Sequence, residues 1–240
     1  MEAREHQGTV LRYIVVEPDG FDPGRSYPLV VLLHGFGASM RDLVGLSPSI
    51  DRSGYLYIFP NAPIEMTIGP GMRGYAWTTI GPDSSPDEAV RAESMLEALI
   101  KEVRQRYGAG KGSMVLGGFS QGGMMTYRYG MPNPELFAGL AVLSGGVNGQ
   151  EELRDRLPGR RDQPIFISHG TEDGVIPVEE ARRSLRFLGE EGYTPEYHEY
   201  AIGHEISHEV VQDLREWVRR VMPSALSGSD DVADARKEKL

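Results

Sequence analysis

The stretch that most restricts what this chain can fold into is Gly117-Gly118-Phe119-Ser120-Gln121-Gly122-Gly123. It lies between an apolar run at 113–116 and the segment Met124-Met125-Thr126-Tyr127. Glycine weakens both strands and helices, because it loses the most backbone entropy on folding and packs no side chain. Glycines on both sides of one serine therefore call for a steric reason. A sharp strand-to-helix turn supplies one: the residues two before and two after the serine meet where only a minimal side chain fits. Gly118 and Gly122 meet that demand, and Gly123 lets the helix approach the sheet. The serine hydroxyl then stands above the sheet, with N–H groups of the helix start directed toward it.

The rest of the chain supplies the strands and helices that such a turn needs. Residues 27–35, 55–61, 112–118, 139–145 and 163–170 are short apolar runs, the pattern of strands buried on both faces. Residues 11–18 read as an edge-type strand, and 194–203 as a weaker strand. Helical periodicity marks 85–108, 177–192 and 206–221. The first of these has Ser85 or Asp87 as its cap and Val90, Leu96, Leu99 and Val103 on one face. It ends with Arg104 and Arg106 before Gly108. Strands alternating with helices predict an α/β fold with a mostly parallel sheet covered on both sides. Residues 61–86 read as a long Gly/Pro-rich loop, a functional rim. Residues 1–223 are expected to form one domain, and the polar residues 224–240 a mobile tail.

A serine hydroxyl attacks only when a base removes its proton and a third group holds that base. For a nucleophile on this turn the chain order is serine, acid, histidine, with the last two on loops after later strands. Asp173 follows the 163–170 strand and precedes Gly174, whose turn directs the side chain inward; Glu172 is its competitor. Among six histidines, His6 lies at a ragged terminus and His34 precedes the serine. His169 ends a strand as a structural histidine, His198 lies within a strand and His208 within a helix. His204 has both the order and the loop setting. The oxyanion of the tetrahedral intermediate needs two donors. The N–H of Gln121 is one, and the N–H of Phe36, in His34-Gly35-Phe36-Gly37 after the 27–35 strand, is the other. Phe36 and Trp77 are the expected substrate contacts.

Together these motifs resemble the α/β-hydrolase superfamily. More narrowly they resemble its carboxylesterase/phospholipase group, which includes small bacterial carboxylesterases and acyl-protein thioesterases. HGFG, PNAP (60–63), AWTTI (76–80), GFSQGG, HGTEDGVIP and GHEIS occur in that family's order over residues 10–221. The resemblance implies hydrolysis of carboxylic esters with no cofactor, an exposed site with little or no lid, and frequent homodimers. The short connection between 139–145 and 163–170 leaves little room for a large lid. Ala38, Asn61, Thr78 and Thr79 stand where the family often has other residues, and these departures bear on substrate preference.

Composition narrows the alternatives. A formal charge of −10 argues against nucleic acid and anionic membranes. The chain has no cysteine, which removes thiolate chemistry, and no apolar run long enough to span a bilayer. The default expectation is a cytoplasmic protein acting on a small-molecule ester of short to medium acyl length. A thioesterase or lysophospholipase on the same triad is the first alternative. A non-catalytic binding protein is a second. A zinc hydrolase using His204 and His208 in His-Glu-Ile-Ser-His is a third, although it leaves the serine turn unexplained.

Overall fold

The apolar runs become the interior of one twisted sheet. The computed structural model describes residues 1–82 and 84–224. Its strands are β1 (Glu2–Gln7), β2 (Arg12–Glu17), β3 (Leu29–Leu33), β4 (Leu56–Pro60), β5 (Ile64–Gly69), β6 (Met72–Ala76), β7 (Met114–Phe119), β8 (Gly139–Leu143), β9 (Ile165–Gly170) and β10 (Glu196–Tyr200). The α-helices are α1 (Ser47–Ile50), α2 (Pro86–Tyr107), α3 (Gln121–Met125), α4 (Gln150–Arg156), α5 (Val178–Glu190) and α6 (His208–Val221). The main sheet runs β1-β2-β4-β3-β7-β8-β9-β10. The pairs β1–β2 and β2–β4 are antiparallel, and the remaining pairs are parallel.

Burial on both faces explains the uninterrupted apolar strands. Leu29, Val31 and Leu33 of β3 enter one core, with α2, α4 and α5 above them; Val30 and Leu32 enter the other, beneath α1 and α6. The helix α2 begins at Ser85, whose side chain accepts the N–H of Asp87, and ends at Gly108 with φ 64°. Its buried face is Ala92, Leu96, Leu99, Ile100 and Val103. Val90, expected on that face, is 53% exposed. It lies six residues before Leu96, about 240° around the helix.

Two further expectations are corrected. The N-terminus is not ragged: residues 2–7 form the edge strand β1, so β2 is an interior strand. Nearly every β1 side chain is exposed, so backbone pairing holds it and no apolar pattern marks it. Its charges pair with neighbours, Arg4 with Glu2 and Arg41 with Glu5, as suits an exposed edge. The 61–86 segment is not all loop, because β5 and β6 form an antiparallel ribbon within it. That ribbon is half-exposed and buries too little to show in hydropathy. The tail expected at 224–240 lies, apart from Ser224, outside the described residues. Among the described residues no helix is long and apolar enough to cross a membrane.

The two readings of α2 separate by stability. Leu99→Ala removes a wholly buried side chain and should lower unfolding free energy by about 2–5 kcal/mol. Val90→Ala should change it by less than about 0.5 kcal/mol. Urea denaturation of both variants checks the assignment, and equal losses would contradict it.

Candidate active site

Ser120, Asp173 and His204 follow β7, β9 and β10, and the loop at 34–38 follows β3. All lie at the carboxyl ends of parallel strands, where open α/β sheets gather their functional loops. Ser120 has φ 54° and ψ −118°, a conformation strained for any residue with a Cβ. Its N–H is anchored on Leu143 O at 2.8 Å. A Cβ at Gly118 would lie 2.3 Å from the Gly122 carbonyl, and one at Gly122 would lie 2.1 Å from Leu33 O. At Gly123 it would lie 3.0 Å from the Val142 side chain. The glycines thus let α3 touch β3 and β7 directly, and the serine is held at their crossing.

Asp173 is buried and densely solvated by donors. Its Oδ1 accepts the N–H groups of Val175 and Ile176, each at 2.8 Å. Its Oδ2 accepts Nδ1–H of His204 at 2.6 Å, with His169 Nε2 at 3.3 Å. Burial opposes ionisation, but the His204 and backbone hydrogen bonds outweigh it and hold the carboxyl below its usual range. Glu172, the competitor, is exposed. His169 lies 2.7 Å through Nε2 from the carbonyl of Ile176, a structural contact that pins the same turn.

The His204 ring lies 4.7 Å from that of Phe119. It lines one cavity with Ser120, of about 600 Å³, together with Phe36, Ile80, Met124 and Val175. The serine hydroxyl makes no hydrogen bond to His204 among the described residues; such contacts commonly tighten only when substrate is bound. His204 stands ahead of α6, which starts at His208 behind the Ser207 cap. The two histidines are therefore not on one helix, as the zinc alternative required.

The 34–38 loop is held by parts of the chain that carried no sequence signal. Gly37 N–H donates to Tyr75 O, and Tyr75 N–H to Ala38 O, so the ribbon clamps the loop to β6. A Cβ at Gly74 would lie 2.1 Å from Gly37 O. The N–H of Phe36 is left without an acceptor among the described residues, and the Phe36 ring is 40% exposed on the cavity. His34 is buried, with Nδ1 2.7 Å from Gly35 O and Nε2 accepting from Ala62 N–H at 3.0 Å. Those partners assign its proton to Nδ1.

Trp77, expected as a substrate contact, does not reach the cavity. It is 0% exposed, absent from the cavity wall, and its Nε1–H donates to His34 O. An apolar indole with a single donor is more stable under the loop than on its rim. The Gln121 side chain ties the serine turn to the 77–78 segment. Its Oε1 accepts Trp77 N–H, and its Nε2 donates to Thr78 O and Thr78 Oγ1. Thr79 donates to Glu88 through both N–H and Oγ1, and Asn61 Oδ1 accepts Met40 N–H. At three of the four departures from the family pattern, then, side chains fasten the loops around the serine. A polar glutamine at a buried helix start was the one available sign of this network. A larger cleft of about 760 Å³, lined by Arg4, Arg25 and Arg106, contains none of the site residues, so chemistry rather than volume identifies the site.

A family model described as phospholipase/carboxylesterase matches residues 22–222. The chain is 32% identical to an acyl-protein thioesterase 1 of Emericella nidulans, covering 83% of this chain and 92% of that one. It is 27% identical to the carboxylesterase SOBER1 of Arabidopsis thaliana, over 82% of this chain and 92% of that one. Among solved structures, esterase PE8 superposes with TM-score 0.75 at 26% identity, covering 86% of this chain and 97% of its own.

Burial holds the His34 imidazole below its ordinary titration range, despite the Gly35 carbonyl beside it. The folded state thus binds that proton more weakly than the unfolded chain does. The resulting stabilisation is full above about pH 6.5 and is lost as pH falls below it. Urea midpoints at neutral and mildly acidic pH should converge less in wild type than in His34→Gln, which lacks this linkage. An identical pH slope in both proteins would contradict the assignment.

Proposed function

The chain belongs to the phospholipase/carboxylesterase family and has the α/β-hydrolase fold, and from that premise we propose how it cleaves carboxylic esters. Ser120 Oγ attacks the ester carbonyl while His204 Nε2 takes its proton, and Asp173 stabilises the imidazolium through Nδ1–H. The N–H groups of Phe36 and Gln121 receive the oxyanion, each donor contributing about 3 kcal/mol. Collapse of the intermediate expels the alcohol, which takes the proton back from His204, and leaves an acyl group on Ser120. Water, activated by His204 in turn, releases the acid. Residues 1–223 act as one hydrolase domain in this reading, on small-molecule esters in the cytoplasm.

One observation carries the assignment of roles: the 2.6 Å contact of His204 Nδ1 with a carboxylate buried among donors, facing a serine held at positive φ. The catalytic need for such a charge is that it stays ionised while the imidazole cycles, and the donors around Asp173 supply that. A cavity of about 600 Å³ falls within the range of small-molecule sites and supports short to medium acyl chains. Thioesters are a second reading, favoured by the name of the Emericella relative; the same attack then expels a thiol.

The test is a p-nitrophenyl ester series from acetate to laurate, with matched S-acyl substrates. Hydrolysis should peak among the shorter chains. Ser120→Ala should lower kcat on the order of 10⁶-fold, and Asp173→Asn about 10⁴-fold. An unchanged rate in Ser120→Ala would overturn the reading.

A further inference from the structure

His204 stands between two recesses, and Ser120 lines the larger of them. The larger holds Phe36, Met124, Val175 and Ile176. A second, of about 260 Å³, opens beside His204 and shares Asp42, Phe119 and His204 with the first; its other walls are Leu43, Gly45, Leu46, Glu205 and Ile206. Ser120 is only 8% exposed, and its hydroxyl has no hydrogen-bond partner among the described residues, so it is free to meet a substrate in the larger recess.

An ester presents two limbs to such a site, and the proton path distinguishes them. In the acyl-enzyme reading, on which this inference rests, the carbon–oxygen bond to the alcohol breaks as the C=O reforms. The departing oxygen takes its proton from His204 Nε2. The alcohol limb must therefore lie along His204, which lines both recesses. Ser120, Phe36 and Gln121 line only the larger, so the acyl limb takes that one and the alcohol limb leaves past His204 toward the smaller. The geometry points to the recess between 42–46 and 204–206 as the leaving-group subsite, with Asp42 and Glu205 selecting leaving groups that carry a positive charge.

The chemistry of the walls supports that selection. Leu43, Leu46, Phe119 and Ile206 favour hydrocarbon next to the ester oxygen. No Lys or Arg lines either recess. Neither the Asp42 nor the Glu205 carboxylate forms an ion pair or a side-chain hydrogen bond among the described residues. An exposed carboxylate changes the affinity of a unit charge about 4 Å away about fivefold, in opposite senses for ammonium and for sulfonate or phosphate. Two carboxylates facing one recess thus rank cationic leaving groups above neutral ones and anionic leaving groups last. These contributions are screened by salt, with a Debye length of about 30 Å at 0.01 M and about 3 Å at 1 M.

Butyrate esters of choline, of its neutral isostere 3,3-dimethylbutan-1-ol and of isethionate share an acyl limb and differ in leaving-group charge. At low salt, kcat/KM should fall in that order, with a choline-to-isethionate ratio on the order of tenfold or more. The ratio should shrink toward one at high salt, and equally in the double variant Asp42→Asn with Glu205→Gln. Both positions are exposed, and the salt series on wild type is an independent readout should either variant fold poorly. A flat series in a wild type that cleaves the neutral ester would overturn the inference alone, as would a ratio unmoved in the double variant. Absence of Ser120-dependent cleavage of all three esters would overturn the acyl-enzyme reading and this inference with it.

Discussion

The contact on which the rest of the structure depends is the crossing of α3 over β3 and β7. The Gly118 and Gly122 backbones meet there with no side chain between them. That approach forces Ser120 to φ 54°, and a residue there is kept only where its surroundings over-determine it. Here they do: Ser120 N–H is tied to β8 through Leu143 O, and α3 is closed in by Val142 on the same strand. A second strained residue, Ser144 with φ 50°, follows directly. Its N–H is tied to Ser168 O on β9. The strain therefore sits in the most heavily paired part of the sheet, where the neighbouring strands can hold it.

Around that crossing the protein keeps one buried ionisable group charged and another neutral. Asp173 is surrounded by N–H donors and stays a carboxylate. His34, equally buried, is given one acceptor and one donor and stays an uncharged imidazole. The same physical cost, removal of charge from water, thus leads to opposite outcomes because the local partners differ. The charged group lies behind His204, the histidine that becomes cationic in the proposed mechanism. The neutral one lies beneath the 34–38 loop, proposed to receive the oxyanion.

The elements that were legible in the sequence are those whose signal is steric or apolar. The five runs that became β3, β4, β7, β8 and β9 could be read because both faces are buried, and α2 because its caps and terminal charges coincide. Ser120, Asp173 and His204 could be named because chain order and flanking glycines restrict them. The parts that could not be read are held by backbone hydrogen bonds and polar side chains. β1 pairs while burying almost nothing, and the β5–β6 ribbon grips the 37–38 backbone through Tyr75. Trp77 looked like a rim aromatic because composition cannot tell which side of a loop an indole occupies. Its single donor finding His34 O decided the matter.

By itself, then, the sequence determined the layered α/β arrangement, the serine turn and the order of the residues gathered around it. Local sterics and hydrophobic periodicity act over a few residues and leave their mark in the chain. Only the tertiary structure decided the remainder. It placed Asp173 rather than Glu172 against His204, left the Phe36 N–H free, and turned Trp77 inward. It also brought the 42–46 and 204–206 segments together to wall a second recess beside His204. Each of these depends on which groups from distant segments meet in space, and hydrogen-bond and charge complementarity between such segments has no periodicity to read.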